Sequence, residues 1–247
     1  DTKVYDYEKN LKKETNMKKI SRIITCLVPI LLLNLSACQP QETISPPVEL
    51  ETSDSYLLGV DLSAFNHVED WSKMKNAGIR FCIIRLGYRG NTTAQLRLDD
   101  KAIEYIQSAQ KNDMHLGLYF FSTAITKEEA EEEAQFVLDS IGNLTLDFPI
   151  FIDCEFTSER NKRSDYLNKE QRTTVAKSFC EYIKNHSSYR AGIYSNYHFF
   201  LNNLNIEELT DYTLWLAHYK KIDTLMEKSD FQYPYSFWQF TNKGKVP

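Results

Sequence analysis

From Tyr56 to the last residue, short apolar runs alternate with stretches of helical period. Leu57-Leu58-Gly59-Val60-Asp61 reads as a first strand. A helix over 68–77 follows, with Trp71 and Met74 on one face and Gly78 ending it. Residues 81–87 predict a second strand, 88–98 a polar loop, and 99–112 a helix that turns Ala102, Ile103, Ile106 and Ala109 inward. The third strand is 116–121. Thr126-Lys127-Glu128-Glu129 then opens a helix reaching Ile141, with Ala130, Ala134, Val137 and Leu138 in its buried stripe. On that helix the run Glu131-Glu132-Glu133 reads as a solvated face.

The fourth strand lies in Pro149-Ile150-Phe151-Ile152-Asp153-Cys154-Glu155-Phe156, an apolar β-branched run that ends in two acids. After a polar loop at 157–167 comes a helix over 169–186, with Val175, Phe179, Tyr182 and Ile183 inward. Residues 191–196 form a fifth strand with a short helix behind it, and 213–219 and 236–241 a sixth and a seventh. Alternation of this kind predicts an α/β fold with a parallel sheet. We read it as an irregular (β/α) TIM-like barrel of about five βα units, then mostly β strands, in one domain over 56–247. The expected last strand is missing from this chain before Pro247.

Upstream of the domain the pattern changes. Met17-Lys18-Lys19-Ile20-Ser21-Arg22 is basic, and 23–33 is an apolar run too short to span a bilayer. Leu35-Ser36-Ala37-Cys38 follows and closely resembles a bacterial lipobox. That resemblance implies a signal peptide over 17–37, cleavage before Cys38 and lipidation of its thiol, as in an exported lipoprotein held on a membrane and facing the cell wall or periplasm. Residues 1–16 read as an upstream extension, and 39–55, rich in Pro, Glu, Ser and Thr, as a flexible tether.

Charge narrows the partners. Of 29 basic and 34 acidic side chains, seven and four lie in residues 1–38, so the remainder carries 22 basic against 30 acidic. An acidic body without a basic stripe argues against nucleic acid. Cys82, Cys154 and Cys180 lack the spacing of a disulfide framework or a zinc site, and Cys82 and Cys180 read as buried thiols. His67, His115, His186, His198 and His218 show no metal-ligand spacing, so neither a metal nor a cofactor is expected.

The chemistry collects at strand ends. Asp153 and Glu155 stand two apart, so on a strand they share a face, and Asp61 closes the first strand. Arg85, Tyr119, Phe121, Tyr194, Asn196, Trp215, Trp238 and Gln239 lie within or at the ends of the others. Acids ringed by aromatic side chains suit a sugar polymer: rings stack on pyranose faces and carboxylates cut the bond between sugars.

Gly59-Val60-Asp61-Leu62-Ser63, Arg85-Leu86-Gly87-Tyr88, Gly117-Leu118-Tyr119-Phe120-Phe121, Asp153-Cys154-Glu155, Gly192-Ile193-Tyr194-Ser195-Asn196, Trp215-Leu216-Ala217 and Trp238-Gln239-Phe240-Thr241 carry a resemblance. In type and order they are similar to glycoside hydrolase family 25, the Chalaropsis-type lysozymes. The resemblance implies an irregular barrel and a muramidase that hydrolyses the β-1,4 bond between N-acetylmuramic acid and N-acetylglucosamine. It implies Glu155 as general acid, assisted by Asp153 and Asp61, with the aromatic residues, Arg85, Asn196 and Gln239 binding glycan strands. A monomer anchored through Cys38 is the expected form.

The chain departs from the pattern at Asn66, where a Gln is common, and at the end, where a further acidic strand is expected after Gly244-Lys245-Val246-Pro247. A fragment lacking it is expected to be less stable and less active. The same residues leave open a non-catalytic peptidoglycan-binding lipoprotein. A chitinase-like enzyme is disfavoured because Phe151 stands where that family wants an acid.

Overall fold

The computed structural model describes residues 56–157, 162–219 and 228–244. The expected signal, Cys38 and the tether lie outside them, as do residues 245–247. Seven parallel strands are laid side by side: β1 (Leu58–Leu62), β2 (Ile79–Arg89), β4 (His115–Phe121), β5 (Ile150–Asp153), β6 (Ala191–Asn196), β7 (Thr213–Ala217) and β8 (Phe237–Gln239). Among the described residues the ladder runs from β1 to β8 without closing, so the sheet curls as an open half-barrel. A short β3 (Leu96–Leu98) turns back on the end of β2 in antiparallel register, within the stretch expected to be a polar loop.

Helices connect the first strands on the outer side. They are α1 (Trp71–Asn76), α2 (Ala102–Lys111), α3 (Lys127–Ile141), α4 (Lys169–His186) and a short α5 (Tyr197–Asn203). Their starts follow side-chain caps. Asp70, Thr126 and Asn168 each accept the backbone N–H three residues on, and Gln171 returns the bond in a capping box at α4. Asp70 moves the start of α1 from the expected 68 to Trp71.

Period-two alternation divides the apolar side chains into two cores. Val60, Leu62, Leu118, Phe120, Ile152, Ile193 and Leu216 face outward and pack under the helices. Phe81, Ile83, Tyr119, Phe151, Tyr194 and Trp215 face inward and fill the barrel. Two glycines make room for that filling. A Cβ on Gly59 would lie 2.3 Å from the Phe81 ring, and one on Gly192 would lie 2.5 Å from the Phe151 ring. Both positions are therefore closed to any larger residue unless a core phenylalanine moves.

Glu133 corrects the reading of the acidic run. It falls on the Ala130–Ala134–Val137 stripe of α3 and is fully buried. Arg89, at the end of β2, meets it at 2.8 Å and also reaches Glu132, at 3.1 Å, and the carbonyls of Ala94 and Glu129, at 3.0 and 2.8 Å. Burial pushes the Glu133 carboxyl up to about 7, against the opposing pull of bonds from Ser122 and Arg89.

Two outcomes follow for stability. Arg89→Met leaves a buried carboxyl without its cation and should cost about 3–5 kcal/mol in urea unfolding. Because the folded-state value lies above the unfolded one of 4.5, folding holds the Glu133 proton longer. Its contribution is present in acid and is lost as pH rises toward 7. Glu133→Gln, which cannot titrate, should remove that part of the fall in stability when melting is followed across this window.

Candidate active site

Parallel register sets the site. Phe121, Asp153, Tyr194 and Trp215 are direct neighbours across β4, β5, β6 and β7. Paired residues of a parallel sheet point to the same side, so this row forms one layer at the C-terminal end of the half-barrel, the end where such folds carry their chemistry. Asp61, at the C-terminal end of β1, faces the same interior between outward-facing Val60 and Leu62.

Gln239 ties the two ends of the sheet together. Its amide Nε2 donates to Asp61 Oδ2 at 2.7 Å, and its Oε1 accepts from the Tyr194 hydroxyl at 3.0 Å and from the Tyr219 hydroxyl. An acid on the first strand, an amide on the last and a phenol on β6 thus form one buried network. Burial pushes the Tyr194 hydroxyl well above its ordinary value, and Glu155, Tyr219, Asp153 and Asp61 push it further.

Glu155 lies two residues past Asp153, just beyond the last residue of β5. Cys154 between them turns its side chain into the outer core. Asp153 is buried and Glu155 half-buried. The backbone is clamped on either side of Glu155. On one side the Cys154 N–H donates to the Tyr194 carbonyl at 3.0 Å, and the Ser195 hydroxyl donates to the Cys154 carbonyl. On the other, Thr157 donates its N–H and its hydroxyl to Asp165, at 3.1 and 3.0 Å. Glu155 also lines a small cavity with Ser122, Ser164 and Arg172. Arg172 stacks there on Phe156 and Phe199 at 5.0 and 5.4 Å.

Other expected binding residues have different surroundings. The Asn196 side chain caps α5 by accepting the Phe199 N–H at 3.0 Å, so its oxygen is engaged in holding a helix. Arg85 is paired with Asp99 at 2.6 Å. Tyr119 and Trp215 meet edge to face at 5.9 Å inside the barrel, and Trp215 is only 2% exposed, so it underlies the cleft and offers no open ring face. Trp238 was expected beside Gln239. Neighbours on a strand alternate, and with Gln239 inward Trp238 packs against the outer core and donates its Nε1–H to the His218 carbonyl at 3.1 Å. Phe121 is half-buried in the acid layer.

Asp99 was missed. It reads in sequence as the first residue of a helix, yet its carboxylate is wholly buried against Arg85, fourteen residues away, and nothing local signals that pairing.

Comparison with known proteins identifies the fold and the family. Among curated proteins none matches the chain in sequence. Among solved structures, a family 25 glycosyl hydrolase from Bacillus anthracis is similar in fold, with a TM-score of 0.63 at 18% identity over 79% of this chain and 84% of that one. The bacterial lysozyme of Streptomyces coelicolor gives 0.61 at 21% identity, covering 78% and 87%. The modular autolysin LytC of Streptococcus pneumoniae gives 0.61 at 20% identity over 75% of this chain, which spans 42% of the autolysin's length. The sequence profile of glycosyl hydrolases family 25 matches residues 60–247, and the chain belongs to that family.

Proposed function

We propose that this protein is a peptidoglycan muramidase that hydrolyses the β-1,4 bond between N-acetylmuramic acid and N-acetylglucosamine. The observation that carries the reading is that Asp153 on β5 and Asp61 on β1 face one interior at the C-terminal end of a family 25 half-barrel, linked through Gln239 and Tyr194, with Glu155 two residues beyond Asp153. Structures similar in fold include a bacterial lysozyme and an autolysin solved with a synthetic peptidoglycan ligand.

In this proposal Glu155 is the general acid. It is the most exposed of the three acids, as a group that must reach a glycosidic oxygen has to be. Its clamped backbone holds that reach fixed, which keeps the proton within hydrogen-bonding distance of the leaving oxygen. Asp153, buried behind it, supplies negative charge that stabilises the oxocarbenium-like centre as the bond breaks. Asp61 faces the same centre from β1, held in place by the Gln239 amide. The Tyr194 hydroxyl, a donor to Gln239, fixes which way that amide points. The proposal extends to the N-terminal segment, where a lipidated Cys38 would hold the enzyme against its polymeric substrate.

Release of reducing ends from purified peptidoglycan tests the reading. Glu155→Gln should lower the rate by about 10²–10⁴-fold while leaving sedimentation with the polymer intact. Undiminished turnover would overturn the assignment of Glu155. Wild-type protein that binds the wall without cutting it would favour the non-catalytic alternative.

Gln239→Ala removes a donor from Asp61 and an acceptor from two tyrosines. It should cost about 1–3 kcal/mol in chemical unfolding, the penalty of stranding buried polar groups, and should lower turnover together with stability.

A further inference from the structure

Phe65 is 72% exposed, although it sits in a turn held by several hydrogen bonds. Asn66 Oδ1 accepts from the Ser63 N–H at 2.8 Å and from the Ser63 hydroxyl at 3.2 Å, and the Asn66 N–H returns to the Ser63 carbonyl at 2.9 Å. The Tyr105 hydroxyl fixes the Asn66 carbonyl at 2.7 Å. The Ala64 N–H binds Asp99 at 3.1 Å, on the same carboxylate oxygen that Arg85 grips at 2.6 Å. Arg85 is thereby set beneath the Phe65 ring, 4.8 Å from its centroid, and 5.4 Å from that of Tyr88.

The Arg85 guanidinium thus lies within reach of both the Phe65 and Tyr88 rings, while the Phe65 ring stays largely exposed. Exposing a large apolar ring is unfavourable, and a loose turn would let it fold down. Here hydrogen bonds hold the backbone on both sides of Phe65. The ring also stands at the C-terminal end of β1, four residues beyond Asp61, on the rim that bears the acids.

We propose that Phe65, supported by Arg85 and Tyr88, is a sugar-stacking platform that takes a pyranose ring of the glycan strand as it passes the Asp61 side of the cleft. The inference rests on the muramidase reading for the identity of the polymer. A flat apolar face presented to solvent matches the C–H face of a pyranose. The guanidinium behind it stiffens the ring through a cation–π contact and leaves Arg85 a positioning residue, since its charge is already spent on Asp99. The platform gives the cleft a fixed aromatic face that the buried Trp215 does not provide.

The test measures sedimentation of the full chain, carrying Glu155→Gln to prevent cutting, with purified insoluble peptidoglycan. Phe65→Ala should weaken binding about three- to tenfold, the contribution of one aromatic stack. Phe65→Leu, apolar but not flat, should behave like Phe65→Ala, whereas Phe65→Trp should bind as the parent does. Melting should be unchanged in all three because the ring is exposed. Binding of Phe65→Ala within twofold of the parent would overturn the platform, as would a dimer lost in that variant with polymer binding intact, which would make the ring a self-association contact. Failure of the wild-type chain both to bind and to cleave peptidoglycan would instead overturn the muramidase reading itself, and the platform with it.

Discussion

The site depends on a hydrogen bond of 2.7 Å between the amide of Gln239 and the carboxylate of Asp61. The two residues sit on the last and first described strands of a sheet whose backbone ladder, among the described residues, does not join them. A side chain does there what a strand pair does elsewhere along the wall. Because the Gln239 oxygen is also held by Tyr194 and Tyr219, the contact fixes three walls of the cleft relative to one another. Buried polar networks of this kind stabilise only when each member is satisfied, and here donors and acceptors alternate around the amide in the sense that its two ends require.

Around that contact the fold separates two kinds of burial. The outer core holds the helices on the sheet. The inner core holds the shape of the barrel, and it does so with rings, which need glycine opposite them in two places. The Arg89–Glu133 pair belongs to the outer system, where it joins the end of β2 to α3. Its pH dependence therefore bears on stability from the helix side of the sheet, opposite the acids. Arg163 adds a second tie to the same helix, through Glu129 at 2.6 Å, and so anchors the turn that follows Glu155.

Much of this was legible in the sequence, for identifiable reasons. The helix at 169–186 and the strand at 191–196 match their predicted limits because a capping box marks the start of one and a clean apolar run defines the other. The strand that ends in Asp153 was legible because an apolar β-branched run marks it, whereas Glu155 lies beyond its last residue. What the sequence hid depends on partners far away along it. Arg89 and Glu133 are 44 residues apart, and Arg85 and Asp99 are 14 apart. Asn196 looked like a cleft residue from its place at a strand end, yet the helix beginning at the next residue claimed its side chain as a cap. The β3 strand was hidden for the opposite reason: Leu96-Arg97-Leu98 is too short to show an alternation, and two of the three residues are exposed.

The floor beneath the acids is solid. Phe151 packs against Trp215 at 5.2 Å and against Phe237 at 5.3 Å, and Phe237 in turn meets Phe81 at 5.9 Å and Phe148 at 5.2 Å, edge against face throughout. Among the described residues these rings fill the barrel interior beneath the acids. A polymer and the water that cleaves it then share the mouth above the acids, the end where such folds carry their chemistry. A chain lying across that mouth would govern the traffic of solvent to its own point of reaction.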